Sequence, residues 1–286
     1  MTTLYEPAYA KLNLTLDVLG KRDDGYHDLK SVMQTVSLYD TITIHIDTEP
    51  GWKIRCDKEG IPCDSRNLVW KAAEIYLNAV NRQINGLEIV IDKQIPSGAG
   101  MGGGSADAAA VLRALNRFCG EPMTDMELAD LGAEVGSDVP FCVIGGTVMC
   151  EGRGEILTKL PDIPECIFAV CKPEFSVSTP VLYRKLDEVA NPLHPDNDAM
   201  EAAIRSGDSG EIAKYIENAF DPVVSAEHPE IDHIKGIYRS YGALATQMTG
   251  SGSVVFGMMP DRESAEAACG ELKKYYREVF VATTVL

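Results

Sequence analysis

The chain has 286 residues, 45% of them hydrophobic and 24% charged, and a formal net charge of −17 at pH 7. That length allows one large or two ordinary domains, each with its own core, and the composition is that of a soluble globular protein. The acidity, with no basic patch to offset it, argues against nucleic acid and anionic membrane as partners, so any phosphate-rich ligand must be met by local features. The opening MTTLYEPAYAKLN has no leader-like apolar run, and no stretch is apolar enough to span a bilayer; the expected location is the cytoplasm.

In chain order, residues 8–19 alternate and read as one strand, followed by the turn-rich KRDDGYHD. Further strand patterns run through Val32–Leu38, Thr41–Ile46 and Trp52–Cys56. Asn67–Asn81 reads as a helix and Leu87–Ile91 as a strand, ahead of a glycine-rich loop and a second helix. Thr124-Asp125-Met126-Glu127 is a capping box, and the helix it opens stops at Gly136. Ser137-Asp138-Val139-Pro140 and the apolar Phe141–Ile144 lead through Gly145-Gly146 into a strand at Thr147–Cys150. Leu160–Pro164 reads as a domain boundary. Beyond it come a strand at Cys166–Cys171, a helix opening at Thr179-Pro180 and helical stretches over 197–220 and Glu230–Tyr241. A hairpin of Ala243–Met248 and Ser253–Met259 surrounds TGSG, and a helix over Arg262–Tyr276 and a strand at Val279–Val285 close the chain. This interleaving predicts an α+β protein with an antiparallel sheet.

The run IPSGAGMGGGSADAAAVLRALN, Ile95–Asn116, has the order strand, glycine loop, helix. Glycines reach φ > 0 and approach a ligand without a Cβ in the way. The helix behind them presents unpaired N–H groups and the positive end of its dipole, which suits a phosphate. Val111, Leu112, Leu115 and Phe118 predict a buried stripe on that helix. No Lys precedes Ser105, so this is not a Walker A loop. Gly98, Gly100 and Gly103 match the dinucleotide fingerprint by letters. They lie far from the first βα unit, however, and Glu121 and Asp125 follow the helix rather than a second strand. The structural alternative is a glycine-rich turn, at a heavy entropic cost.

Lys11 lies inside an apolar strand, where it reads as a solvated-face residue or a functional one. Asp138 follows a helix end, as an Asx-turn residue or a base. Together in a dry pocket, such a pair can take the proton of an alcohol and hold the alkoxide charge. Tyr26 and His27 can stack on and bond to a nucleobase, or plug a turn. Met248–Ser253 can close over a phosphate or only turn a hairpin. Eight cysteines show no C-x-x-C and no zinc spacing with the five dispersed histidines, and read as small core residues with reduced thiols.

Three features together are more specific than any one. PAYAKLNLTLDVLGKRDDGYHDL, PSGAGMGGGSADAAA and MTGSGSVVFG resemble, in order, the three motifs of the GHMP small-molecule kinases. AKLNL, DGYH and NLVWKAA narrow the resemblance to the branch that phosphorylates a cytidyl-diphosphate-linked sugar alcohol in non-mevalonate isoprenoid synthesis. The resemblance covers essentially the whole chain. It implies a ribosomal protein S5 domain 2-like N-terminal domain binding ATP, residues 1–158, and a ferredoxin-like C-terminal substrate domain, residues 159–286. It implies that Pro96, Ser97, Gly98, Ala99, Gly100, Met101, Gly102, Gly103, Gly104, Ser105 and Ala106 wrap the ATP phosphates, with Asn67 near the adenine. Lys11 and Asp138 are the implied catalytic pair, and Asn13, Tyr26, His27, Thr179 and Tyr183 the implied substrate residues. ATP and Mg²⁺ are the implied cofactors, with no metal ligand and no oligomeric state indicated. Met101 replaces a common Leu, and Ala106 a common second Ser, which leaves Ser105 as the hydroxyl at that helix start. A family member acting on homoserine or a mevalonate-type alcohol is one rival, against which Tyr26-His27 speak, since those substrates carry no base. A nucleotide-binding protein without catalysis is the other, against which Lys11 and Asp138 speak.

Overall fold

The alternation over residues 8–19 is two strands, β1 (Thr2–Asn13) and β2 (Thr15–Lys21), parted where the Leu14 amide donates to Val32 O at 2.8 Å. The computed structural model describes residues 2–286. The two strand patterns before Asp47 are one continuous strand, β3 (His27–Ile46), followed by β4 (Gly51–Cys56). Next come α1 (Leu68–Ala79), β5 (Gly86–Asp92), α2 (Gly103–Phe118) and α3 (Asp125–Ala133). Thr124 and Glu127 form the expected capping box on α3. The apolar run after Asp138 is a short helix, α4 (Val139–Ile144), because Pro140 presets its first turn. Two strands follow, β6 (Thr147–Gly152) and β7 (Ile156–Lys159), and then β8 (Ile167–Lys172) and α5 (Thr179–Asp187).

The helical pattern over 197–220 resolves into α6 (Asn197–Ser206), α7 (Ser209–Lys214) and a two-residue strand, β9 (Glu217–Asn218). Tertiary pairing overrides helix propensity there. Glu217 and Asn218 pair with Thr15 and Leu16, and Asn218 Nδ2 donates to Met248 O and Gly250 O at 2.8 and 2.9 Å. A helix not apparent in the sequence, α8 (Asp221–Glu227), precedes α9 (Glu230–Ser240). The hairpin strands β10 (Ala245–Met248) and β11 (Val255–Met259), the helix α10 (Arg262–Leu272) and β12 (Glu278–Thr283) complete the chain.

The described residues form two compact units. One holds residues up to Ala10, Tyr39–Ile95 and Gly102–Gly145. Within it, the end of β3 pairs antiparallel with β5, from Thr41↔Asp92 to Ile46↔Leu87, and β4 pairs parallel with β5. Ile42, Ile44, Ile46, Leu87, Ile89 and Ile91 are buried, each contributing about 1.5–3 kcal/mol through burial. Helix α2 packs on α1, α3 and α4, so it is buried nearly all round rather than along one stripe. Its alanines at 106, 108, 109, 110 and 114 permit that approach, and Phe118 is only half-buried.

The other unit holds Lys11–Leu38, Pro96–Met101 and Gly146–Leu286. Here the first part of β3 pairs antiparallel with β2 and β6, and β2 pairs parallel with β9. A separate antiparallel sheet has the order β10-β11-β8-β12, which is the ferredoxin-like arrangement. Helices α9 and α10 pack on it. Tyr238 of α9 is wholly buried against β11 at Gly257, where a Cβ would lie 2.8 Å from the ring. Cys150, Cys166, Cys171 and Cys269 are buried as expected of core residues, whereas Cys63 is exposed and the other three are half-buried. Among the described residues no helix is long and apolar enough to cross a membrane.

Candidate active site

Segments of all three sequence motifs, from Lys11 on, Pro96–Met101 and Met248–Val254, are knitted together inside the second unit. The Lys11 amide donates to Met101 O at 3.1 Å, and the Val254 amide donates to Ala99 O at 3.2 Å. The Asn13 amide donates to the Thr249 hydroxyl at 2.9 Å. A Cβ on Gly100 would lie 2.1 Å from Thr249 O, and one on Gly250 would lie 2.8 Å from Gly100 O. The central and late glycine loops therefore pass backbone against backbone, which no side chain permits.

Lys11 is 3% exposed, and its ammonium donates to Asn13 Oδ1 at 2.5 Å. Asn13 is buried too. Its Nδ2 donates to Ser31 Oγ at 2.8 Å, and its Oδ1 also lies 3.2 Å from Thr249 Oγ1. The Asn13 side-chain carbonyl, itself fixed by Ser31 and Thr249, thus holds the Lys11 ammonium.

The loop is anchored by its apolar members and open at its glycines. Pro96, Ala99 and Met101 are buried; Gly98 is exposed and adopts φ +60°. The Ser97 hydroxyl oxygen is buried and has no hydrogen-bond partner. Such an oxygen costs about 1–3 kcal/mol unless a ligand satisfies it, and a phosphate oxygen fits that need.

In the first unit, Gly102 caps α2 at φ +71° with no side-chain cap, and the first turn carries no acid. The N–H groups of Gly103, Gly104 and Ser105 have no partner within the helix, an arrangement that suits an anion. A Cβ on Gly104 would meet only Leu68 Cδ1, at 3.6 Å. Gly103 differs: its Cβ would lie 2.9 Å from Lys93 Nζ and 3.1 Å from Ile95 Cγ2. A methyl at Gly103 would therefore press on Lys93 and Ile95 whether or not a ligand is bound. Ala106 is buried in the same turn.

Beneath that turn lies an ionic cluster that the sequence reading missed. Lys93 Nζ donates to Asp40 Oδ2 and, at 2.9 Å, to Asp107 Oδ2, all three side chains being buried. Asp40 Oδ1 accepts from the Gln94 and Ile95 amides at 2.5 and 2.8 Å, whereas Asp107 Oδ1 is buried without a partner. Burial pushes the Asp107 carboxyl up to about 7, with Lys93 pulling it down and Asp40 raising it again. Burial opposes the charge on Lys93, but Asp107 and Asp40 outweigh it and hold the ammonium above its ordinary value. Nothing in the letters pairs Asp40 with residues so distant in the chain.

Asp138 is half-buried at the N-cap of α4, yet its side chain makes no capping bond there. Asn67 caps α1, accepting from the Val69 amide at 3.1 Å and donating to Pro62 O at 2.7 Å. Tyr26 and His27 do not project together. Tyr26 is 55% exposed, with the Arg153 guanidinium 5.2 Å over its ring, whereas His27 turns inward and stacks on Tyr183. Thr179 Oγ1 lies 2.8 Å from Ser251 Oγ of the late loop. Lys11, Asn13, Tyr26, His27, Pro96–Met101, Thr179 and Tyr183 thus belong to one unit, and Asn67, Gly102–Ala106 and Asp138 to the other. Among the described residues no group of three or more His, Cys, Asp and Glu could hold a metal ion.

The family model "GHMP kinases N terminal domain" matches residues 67–146, and "GHMP kinases C terminal" matches residues 200–278. A 4-diphosphocytidyl-2-C-methyl-D-erythritol kinase of Caldicellulosiruptor saccharolyticus is 45% identical over 277 residues, 97% of this chain and 95% of that one. One of Clostridium acetobutylicum is 40% identical over 278 residues, covering 97% and 99%. A solved structure of 4-(cytidine 5'-diphospho)-2C-methyl-D-erythritol kinase matches with a TM-score of 0.82 at 30% identity, covering 98% of this chain and 99% of the other. A homoserine kinase of Cytophaga hutchinsonii, at TM-score 0.77 and 20% identity over 100% of this chain and 95% of its own, shares the fold. By sequence and fold alike, this chain belongs to the GHMP kinases and, among them, to the 4-diphosphocytidyl-2-C-methyl-D-erythritol kinase family.

Proposed function

We propose that the chain transfers the terminal phosphoryl group of ATP to the 2-hydroxyl of 4-diphosphocytidyl-2-C-methyl-D-erythritol, a step of the methylerythritol phosphate route to isoprenoids. The observation that carries this reading is the backbone joint between the Lys11 strand, the loop at Pro96–Met101 and the late loop at Thr249–Val254. These contacts bring segments of all three kinase motifs together within one unit, which supports the reading. The open glycines, the uncapped start of α2 and the unsatisfied Ser97 hydroxyl support triphosphate binding by Pro96–Ala106. Asn67 serves the adenine side. We read residues 1–158 as the ATP-binding domain and 159–286 as the substrate domain, the two family-model segments lying on either side of that division. A cytoplasmic location, with neither nucleic acid nor membrane as partner, fits the acidic composition.

Phosphoryl transfer through a loose transition state needs positioning and charge neutralisation more than covalent chemistry. Asp138, whose carboxylate does not cap its own helix, accepts the proton of the substrate hydroxyl. Lys11, held by Asn13, stabilises the charge that develops on that oxygen. Mg²⁺, when bound, would neutralise charge on the triphosphate. Asn13, Tyr26 and His27 hold the cytidine end, with Thr179 and Tyr183 lining the same cleft.

A coupled ADP-release assay tests this with three alcohols: the cytidyl substrate, homoserine and mevalonate. Turnover of the cytidyl substrate alone is expected. Comparable turnover of homoserine or mevalonate would move the protein to another branch of the family. ATP binding without turnover of any of them would make it a non-catalytic nucleotide binder.

A further inference from the structure

Helix α5 carries Thr179, Tyr183 and Asp187 at four-residue intervals, which sets the three on one face. Asp187 ends the helix, where a carboxylate opposes the negative end of the dipole. Helix stability therefore does not explain it. Its partners lie outside the helix. His27 Nε2 is 2.8 Å from Asp187 Oδ1, and Lys21 Nζ is 3.7 Å from Oδ2. Lys21 and His27 are themselves paired across the β2–β3 ladder. One turn before Asp187, Tyr183 stacks on the same imidazole with centroids 4.5 Å apart and 17° between planes. Phe220 backs Tyr183 edge-on at 5.0 Å. His27 is 8% exposed, so its plane, one face and one nitrogen are all held. Among the described residues no group bonds its Nδ1.

A carboxylate can only accept, so the hydrogen sits on Nε2, and in the neutral ring Nδ1 is a bare acceptor. We infer that Asp187 is a positioning residue that holds His27 in its Nε2–H form, so that Nδ1 accepts from the exocyclic amine of a cytosine. The inference rests on the proposed reading of His27 as a residue of the cytidine end. Cytosine offers an amine at C4, where uracil offers a carbonyl. The imidazole form thus discriminates between the two bases: an acceptor at Nδ1 attracts one and repels the other.

The test compares kinetics with the cytidyl substrate and its uridyl counterpart in Asp187→Ala, Asp187→Asn and His27→Ala, with melting curves to show that each variant is folded. Asp187→Ala is expected to raise KM for the cytidyl substrate about tenfold, the usual effect of one lost hydrogen bond in a binding site. Its kcat should fall less, its KM for ATP should hold, and its preference for the cytidyl substrate should narrow. Asp187→Asn keeps an oxygen that accepts from Nε2 and should recover much of the preference. An unchanged base preference in Asp187→Ala, where His27→Ala raises KM, overturns the positioning role alone. An unchanged KM in His27→Ala overturns the underlying reading of the cytidine end. Nitrogen-15 NMR of the His27 ring in the unaltered protein is independent of any variant's folding. An Nε2–H ring with bare Nδ1 supports the inference, and a ring with hydrogen on Nδ1, neutral or cationic, overturns it.

Discussion

Lys11 is a buried cation made tolerable by its neighbours. An ammonium in the interior costs several kcal/mol unless hydrogen bonds meet it, and the Asn13 carbonyl is one such partner. If Lys11 and Asp138 act in the chemical step, Lys11→Ala and Asp138→Asn each lose roughly 10²–10⁴ in kcat, as for other positioned acid–base groups. Their affinity for a non-hydrolysable ATP analogue changes little. Steady-state kinetics with calorimetric titration checks this, and near-wild-type kcat in a folded variant removes that residue from the mechanism. The glycines at 103 and 104 separate packing from ligand approach. Gly104→Ala has room for its methyl, so it should fold normally yet bind the analogue about tenfold or more weakly, a difference of about 1.4 kcal/mol. Gly103→Ala should instead lower the melting temperature, because its methyl crowds Lys93 and Ile95. Unchanged affinity in Gly104→Ala would mean that the loop is only structural.

Helix α2 rests its first turns on the Lys93–Asp40–Asp107 cluster, so the cluster's charge state is felt where the phosphates are proposed to bind. Lys93→Met leaves two acids facing each other in the interior and should destabilise the protein by about 3–5 kcal/mol, the range for a broken buried pair. Urea unfolding measures it. Asp107 also predicts a pH dependence. Its folded carboxyl titrates at about 7 against an ordinary 3.8, so between those values the native state keeps a proton that the unfolded chain has lost. The stability this proton provides is complete below 3.8 and declines as pH rises towards 7. In Asp107→Asn that slope disappears. The variant's stability relative to wild type should therefore rise across the window and level off above it. Parallel stability curves for the two proteins would show that Asp107 titrates normally.

At the scale of the molecule, chain order and packing order differ. Lys11–Leu38 lies early in the sequence yet packs with Gly146–Leu286, and the chain's end closes that unit. The Val285 amide donates to Thr35 O at 3.0 Å, Gln34 Nε2 donates to Val285 O at 3.0 Å, and the Cys166 amide donates to Thr284 Oγ1 at 3.2 Å. Each such bond contributes about 1 kcal/mol net. Removing residues 284–286 should therefore lower the urea midpoint by an amount equivalent to about 2 kcal/mol or more. None of the proposed catalytic residues is touched, so kcat under stabilising conditions should remain near that of the intact chain. An unchanged midpoint would mean that these closing bonds are matched by water in the truncated protein.

What was legible in the sequence is what a few neighbouring residues decide. The Thr124 capping box, the hairpin at TGSG, the helix behind the glycine loop and the strands of the ferredoxin-like sheet all follow from caps, turns and apolar spacing. Resemblance supplied the catalytic and binding candidates, and the motif order supplied the family. Only the tertiary structure broke residues 8–19 at Leu14, joined two strand patterns into β3 and replaced a helix end with β9, because each depends on pairing with distant backbone. It alone turned His27 inward from Tyr26 and set Asp187 against it. It alone gathered Asp40, Lys93 and Asp107, since charges far apart in the chain leave no local periodicity yet must find one another once buried, where an unpaired ion is too costly to keep.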